Sequence, residues 1–169
     1  MFKFSAKKLA RSGVIAALYV VLTLLLAPIS FGTVQARVSE ALTILPIFFP
    51  EAVPALYVAC MLVNLIAGYG VYDIFLGSLA TLFAAIATYL LGKFIKNVHL
   101  KGWLGIIPPV VFNALMLPVV FLLAGGLENA YFVEAAIIAA GELLVLATVG
   151  MILYYAIDGF RKKSISFFL

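Results

Sequence analysis

The feature that most limits this chain is a succession of apolar runs, each roughly 17–25 residues long, from residue 12 onward. Wound as a helix, a run of that length crosses the hydrocarbon core of a bilayer. The runs are continuously apolar and do not alternate in polarity, so they read as helices rather than barrel strands. Only 11% of the residues are charged, against about 25% in an ordinary globular domain. The chain reads as an all-α integral membrane protein, one membrane domain over residues 1–169.

Six transmembrane segments are predicted, at about 12–29, 38–50, 52–68, 73–94, 103–124 and 132–157. The second is short: at ~1.5 Å per residue it reaches ~20 Å, less than a ~30 Å core. Basic residues decide whether it counts. Ten of the eleven lie in three clusters: Lys3, Lys7, Lys8 and Arg11; Lys93, Lys96 and Lys101; and Arg161, Lys162 and Lys163. Six crossings put all three clusters on one side, which the positive-inside rule makes cytoplasmic, with both termini. Five crossings would turn the middle cluster outward. Reading the N-terminus as a cleaved signal peptide, with Val34-Gln35-Ala36 as the cleavage site, would remove helix 1 and leave an odd count. The eleventh basic residue, Arg37, falls on the outer side.

Several chemistries are excluded. There is no GxxxxGK[ST] phosphate loop and no HExxH. His99 is the only histidine and reads as a residue of the basic loop "KNVHLKG"; Cys60 reads as packing. No metal site, catalytic residue or cofactor is expected in this chain.

Polar side chains inside an apolar bundle are costly and tend to have a reason. With helix direction alternating, Arg37, Glu40, Asn64, Asp73, Asn113 and Glu142 all fall between the outer surface and the midplane. The inner half is nearly pure hydrocarbon. That describes a pocket open to the outside and closed below, not a channel lined through both halves. Structural readings stand beside the functional ones. Arg37 and Glu40, three residues apart, can pair with each other. Asp73 can cap helix 4, and Asn64 and Asn113 can bond between helices. Tyr57, Tyr69, Tyr72, Phe112 and Tyr131 read as interface or core. Glu142 has no basic residue within a turn or two and is the hardest to explain structurally. Several carboxylates with one arginine suit a small ligand rich in donors; one carboxylate can accept the N–H and exocyclic amine of a guanine-like edge in parallel.

Helix 1 carries a stripe of small residues, Ser12 with Ala16 and Gly13 with Ala17, which permits close approach of another helix. The stretches "VQARVSEALTILP", "LVNLIAG" and "YDIFLGSLATL", within a likeness covering nearly the whole chain, resemble the queuosine-precursor (QueT-type) substrate-binding proteins of energy-coupling factor (ECF) transporters. The helix 1 stripe resembles the alanine-rich docking motif of these proteins, with serine and glycine at 12 and 13 in place of alanine. The resemblance implies a six-helix S-component of the bacterial cell membrane that captures a vitamin-like compound from outside. It implies as partners a transmembrane coupling protein and two cytoplasmic ATPase subunits, which use the ATP. The implied ligand is a 7-deazaguanine precursor of queuosine. On that basis Glu142 or Glu40 would accept the donor edge, with Arg37 orienting Glu40 or bonding the ring carbonyl. Asp73 would receive an aminomethyl ammonium, Asn64 and Asn113 would complete the edge contacts, and the loop carrying Gln35 would close over the ligand. Two readings compete: an S-component for another vitamin, and a stand-alone proton-coupled carrier, against which no inverted repeat is evident. An intramembrane enzyme would need a nucleophile or metal set that the chain lacks.

Overall fold

A computed structural model describes residues 5–27, 37–68, 70–127 and 129–167, with side chains described to residue 163. Gln35 and Tyr69 lie outside the described residues. Six helices follow one another, and no strand occurs among the described residues: α1 (Ala6–Leu25), α2 (Val38–Ile47), α3 (Ala52–Ala67), α4 (Asp73–Phe94), α5 (Val98–Ala124) and α6 (131–167). Four of them, α1, α4, α5 and α6, are long and apolar enough to cross a membrane; α2 and α3 are shorter.

The chain's contacts bring the described basic clusters to one end of the bundle. Arg11 near the start of α1 binds Glu51 at the α2–α3 junction, 2.6 Å apart. Arg161 near the end of α6 lies over the ring of Phe48, just beyond α2. Tyr154 on α6 donates to the carbonyl of Val98, at the start of α5. This is called the basic end below.

Helix α2 differs from expectation in kind. It is a 3₁₀ helix, closing at Ile47 rather than residue 50, with Pro46 in its last turn. Ten residues of 3₁₀ helix are unusual, because its hydrogen-bond geometry is poorer than that of an α-helix. Three residues per turn make positions i and i+3 eclipse, so α2 has three edges. Ser39, Leu42 and Leu45 turn toward α1 and α3, where the two leucines join a core with Ile15, Tyr19, Leu56 and Cys60. Ser39 accepts from Thr23 Oγ1 at 2.6 Å, a strut between α1 and α2. Ala41, Ile44 and Ile47 turn toward α4, α5 and α6; Ile44 packs with Ile106, Leu146, Met151 and Tyr154. Ile47 also lies against Gly92 and Gly105, where a Cβ would meet it. The third edge carries Glu40. Burial on every side is why residues 39–46 hold no lysine or arginine.

The other boundaries follow from local chemistry. α3 and α5 end on Gly68 and Gly125, both at φ +73°, the left-handed conformation that terminates a helix without a Cβ clash. α5 starts five residues earlier than expected. Asn97 caps it by accepting from the Leu100 N–H, so His99 sits in its first turn, bonded to Tyr155 at 2.9 Å, rather than in a loop. The helix breaks at Ile106, ahead of Pro108 and Pro109. Pro109 has no N–H to give the carbonyl of Gly105. Thr88 Oγ1 on α4 supplies a donor to that carbonyl at 3.1 Å. α1 begins six residues earlier than expected, through Lys7, Lys8 and Arg11. Two helices contain a wider π turn, Asp73–Gly77 at the start of α4 and Leu146–Gly150 within α6.

Candidate functional site

At the half of the bundle away from the basic end, all six helices contribute to one buried polar cluster. Arg37, Glu40, Asn64, Asp73, Asn113 and Glu142 are all buried, none more than 6% exposed. α5 and α6 bring Asn113 and Glu142 together: Asn113 Nδ2 donates to Glu142 Oε1 at 2.6 Å. Glu40 lies within electrostatic reach of Glu142 and Arg37, and Asn113 acts on it as well. Arg37 forms an ion pair with Asp73, 3.8 Å away. Asn64 Nδ2 donates to the backbone carbonyl of Asp73 at 2.9 Å, tying α3 to the start of α4.

Two structural readings of the sequence change as a result. Glu142 is not alone, because the amide of Asn113 arrives from 29 residues away. Asp73 makes no capping hydrogen bond to the helix it opens; its carboxylate turns to Arg37. Arg37 reaches across to α4 and also acts on Glu40, whose Oε1 accepts a hydrogen bond from the hydroxyl of Tyr19 on α1.

Sequence reasoning passed over three contributors. Tyr19 reads as core in "ALYVVLT", yet a buried tyrosine hydroxyl needs a partner, and that was the available signal. Cys60, taken as packing, accepts from Thr81 Oγ1 at 3.3 Å and from Asn64 Nδ2 at 3.7 Å. Gly77 lies directly under Asp73 and Asn64. A Cβ there would overlap Asp73 Oδ1 and come within 3.2 Å of Asn64 Nδ2, so glycine is what lets the two polar side chains close over the π turn. Such turns recur at functional sites because they re-aim side chains within a helix.

The cluster's chemistry lies in which atoms remain open. Glu40 Oε2, Glu142 Oε2, Asp73 Oδ1 and Asn64 Oδ1 are buried without a hydrogen-bond partner, as is the hydroxyl of Ser78. The first four are all acceptors. A buried acceptor left unsatisfied costs about 1–3 kcal/mol. The arrangement suits a guest that brings N–H donors. Each glutamate has one oxygen already bonded within the protein and one without a hydrogen-bond partner. No group of three or more metal-type ligands occurs among the described residues.

Toward the basic end the cluster gives way to the apolar layer of Ile44, Ile106, Leu146, Met151 and Tyr154. The small-residue stripe of α1 divides. Ser12 donates to the Glu51 carbonyl at 3.2 Å and Ala16 packs on the core. Gly13 and Ala17 face outward, and no atom lies near a Cβ built on Gly13. On the Ser12 side of α1 a groove of about 570 Å³ runs between α1, α3 and α4, bordered by Ser12, Pro54, Tyr57, Leu82, Ile86 and Tyr89. Of the aromatics read as interface or core, Tyr131 donates to the Leu115 carbonyl at 2.7 Å, Phe112 packs on Phe83, and Tyr72 is exposed.

A sequence profile described as QueT transporter matches residues 9–159. Over 94 residues the chain is 35% identical to a protein named Queuosine precursor transporter QueT from Lactococcus lactis subsp. cremoris (strain MG1363), an alignment that takes in 54% of this chain. The match spans 55% of that relative, about half its length. No solved structure matches the chain.

Proposed function

The chain belongs to the QueT transporter family, and on that premise we propose that it is the substrate-binding membrane subunit of an ECF transporter, taking up a 7-deazaguanine precursor of queuosine. With its family and its several long apolar helices, it is a multi-pass protein of the cell membrane. The observation that carries the proposal is the set of four buried acceptor oxygens, on Glu40, Asn64, Asp73 and Glu142, with no partner of their own. A 7-deazaguanine presents a ring N–H and an exocyclic amine on one edge, and an aminomethyl group adds an ammonium. Three carboxylates against one guanidinium favour such a guest over an anion.

In this reading Glu40 Oε2 and Glu142 Oε2 accept the two donors of the edge. Asn113 orients Glu142, and Arg37 holds Asp73 and faces the ring carbonyl. Asp73 Oδ1 takes the ammonium, Asn64 Oδ1 a further donor, and the segment with Gln35 closes above. α2 and α3 count as crossings, giving six with both termini cytoplasmic. That orientation puts the basic end inside, as the positive-inside rule requires, and opens the polar half to the outside. The apolar layer beneath the cluster would block passage straight through, which favours release driven by partners over a fixed pore. A transmembrane coupling protein would dock on the outward Gly13–Ala17 side of α1, and two cytoplasmic ATPase subunits would use the ATP.

The test is a titration of purified protein in detergent with 7-aminomethyl-7-deazaguanine. Wild type binds, and Glu142→Gln binds ten-fold or more weakly, because a charge-assisted hydrogen bond is worth about 1.5–3 kcal/mol. Equal binding by both would remove Glu142 from the site. Uptake into vesicles by this chain alone, with no ATPase present, would favour a stand-alone carrier instead.

A further inference from the structure

Tyr19 is fully buried on α1, and its hydroxyl donates to Glu40 Oε1. With the Tyr19 hydroxyl on Oε1, Oε2 is the Glu40 oxygen left without a hydrogen-bond partner. The same division is made at Glu142, where Asn113 occupies Oε1 and leaves Oε2. Each carboxylate thus has one oxygen held by a neutral donor and one left without a hydrogen-bond partner. Such a bond restricts the otherwise broad last torsion of a glutamate side chain, and so fixes where its other oxygen points.

We propose that Tyr19 is a positioning residue of the ligand site, its hydroxyl holding the Glu40 carboxylate so that Oε2 is presented to the ligand as a single fixed acceptor. The inference rests on the reading above that these oxygens hold a ligand. A structural role alone is the contrasting account, and α1 supplies its own control. One turn beyond Tyr19 and on the same face, Thr23 donates to Ser39 at 2.6 Å, so α1 and α2 are tied twice. Only the tie through Tyr19 ends on a carboxylate.

The experiment compares full-length wild type, Tyr19→Phe, Thr23→Val, Glu40→Gln and the Tyr19→Phe/Glu40→Gln double variant. Each is titrated with 7-aminomethyl-7-deazaguanine, and each is melted without ligand to verify folding. Tyr19→Phe removes one oxygen and keeps the ring, and should weaken binding about ten-fold. Thr23→Val should stay within about two-fold of wild type, since it frees no carboxylate. In the Glu40→Gln background Tyr19→Phe should cause no further loss, because the group it positions is already changed. Equal losses from Tyr19→Phe and Thr23→Val would overturn the proposal, and so would full additivity of Tyr19→Phe with Glu40→Gln. If wild type itself fails to bind, the functional reading is what fails, and the role of Tyr19 falls with it. If wild type binds and Tyr19→Phe binds equally well, only the role of Tyr19 is lost.

Discussion

The two halves of this bundle are built from the same helices and treat their buried polar atoms differently. Toward the basic end the polar groups are matched. Thr88 answers the Gly105 carbonyl that Pro109 cannot, Tyr154 bonds the Val98 carbonyl, and Arg11 closes on Glu51. In the other half Glu40, Asn64, Asp73 and Glu142 each keep a buried oxygen open. A helix bundle in lipid has strong reason to satisfy every buried polar group internally. The basic half shows that this chain can do so. Open acceptors gathered in one half are what the proposed site calls for, a place where stability is given up for binding.

Substitutions can break or sharpen this contrast. The largest effect is expected from Glu40→Gln, which removes a charged acceptor and turns an amide toward Tyr19. Binding of 7-aminomethyl-7-deazaguanine should fall roughly 10- to 150-fold, with the ligand-free melting temperature lowered little or even raised. A large drop in melting temperature with unchanged affinity would make Glu40 a structural group and dissolve the contrast. Gly77→Ala comes next. Its Cβ would drive the Asp73 carboxylate off its place over the π turn, costing about 1–3 kcal/mol of stability and weakening binding as well.

Gly92→Ala is the counterpart in the basic half. A Cβ at Gly92 meets the Ile47 backbone at 3.0 Å, so a similar loss of about 1–3 kcal/mol is expected, here with affinity unchanged once folding is restored at lower temperature. Thr88→Val is the mildest, costing about 1 kcal/mol for the lost bond to Gly105 and nothing in affinity. Isothermal titration with thermal melting on the four variants separates the two columns. Affinity losses from Gly92→Ala or Thr88→Val would mean that the halves are not functionally distinct.

Much of the architecture was legible because hydropathy and charge placement are long-range signals. The bounds 73–94 for α4 agree with the structure, and α3 ends at Gly68 as a glycine stop predicts. The start of α1 was missed because its first turns carry Lys7, Lys8 and Arg11, and a hydropathy reading begins where the apolar run begins. The 3₁₀ winding of α2 was hidden for another reason: its apolar residues suit burial in either geometry, and the crowding by Gly92, Gly105 and Gly150 comes from distant segments. In the site, the residue types and their shared depth could be read, since carboxylates in apolar helices stand out. Their pairing could not. Arg37 meets Asp73 from 36 positions away and Asn113 meets Glu142 from 29, separations at which periodicity carries no information. Tyr19 was missed because its sequence context is that of a core aromatic, and only the geometry shows where its hydroxyl ends.

The most direct test of the central claim is native mass spectrometry of the protein purified gently from its own membrane. The open acceptors of Glu40, Asn64, Asp73 and Glu142 predict a co-purifying small molecule with the mass of a 7-deazaguanine, lost in the Glu40→Gln/Glu142→Gln double variant. A bound species outside the deazaguanine series, or one retained by the double variant, would contradict the account.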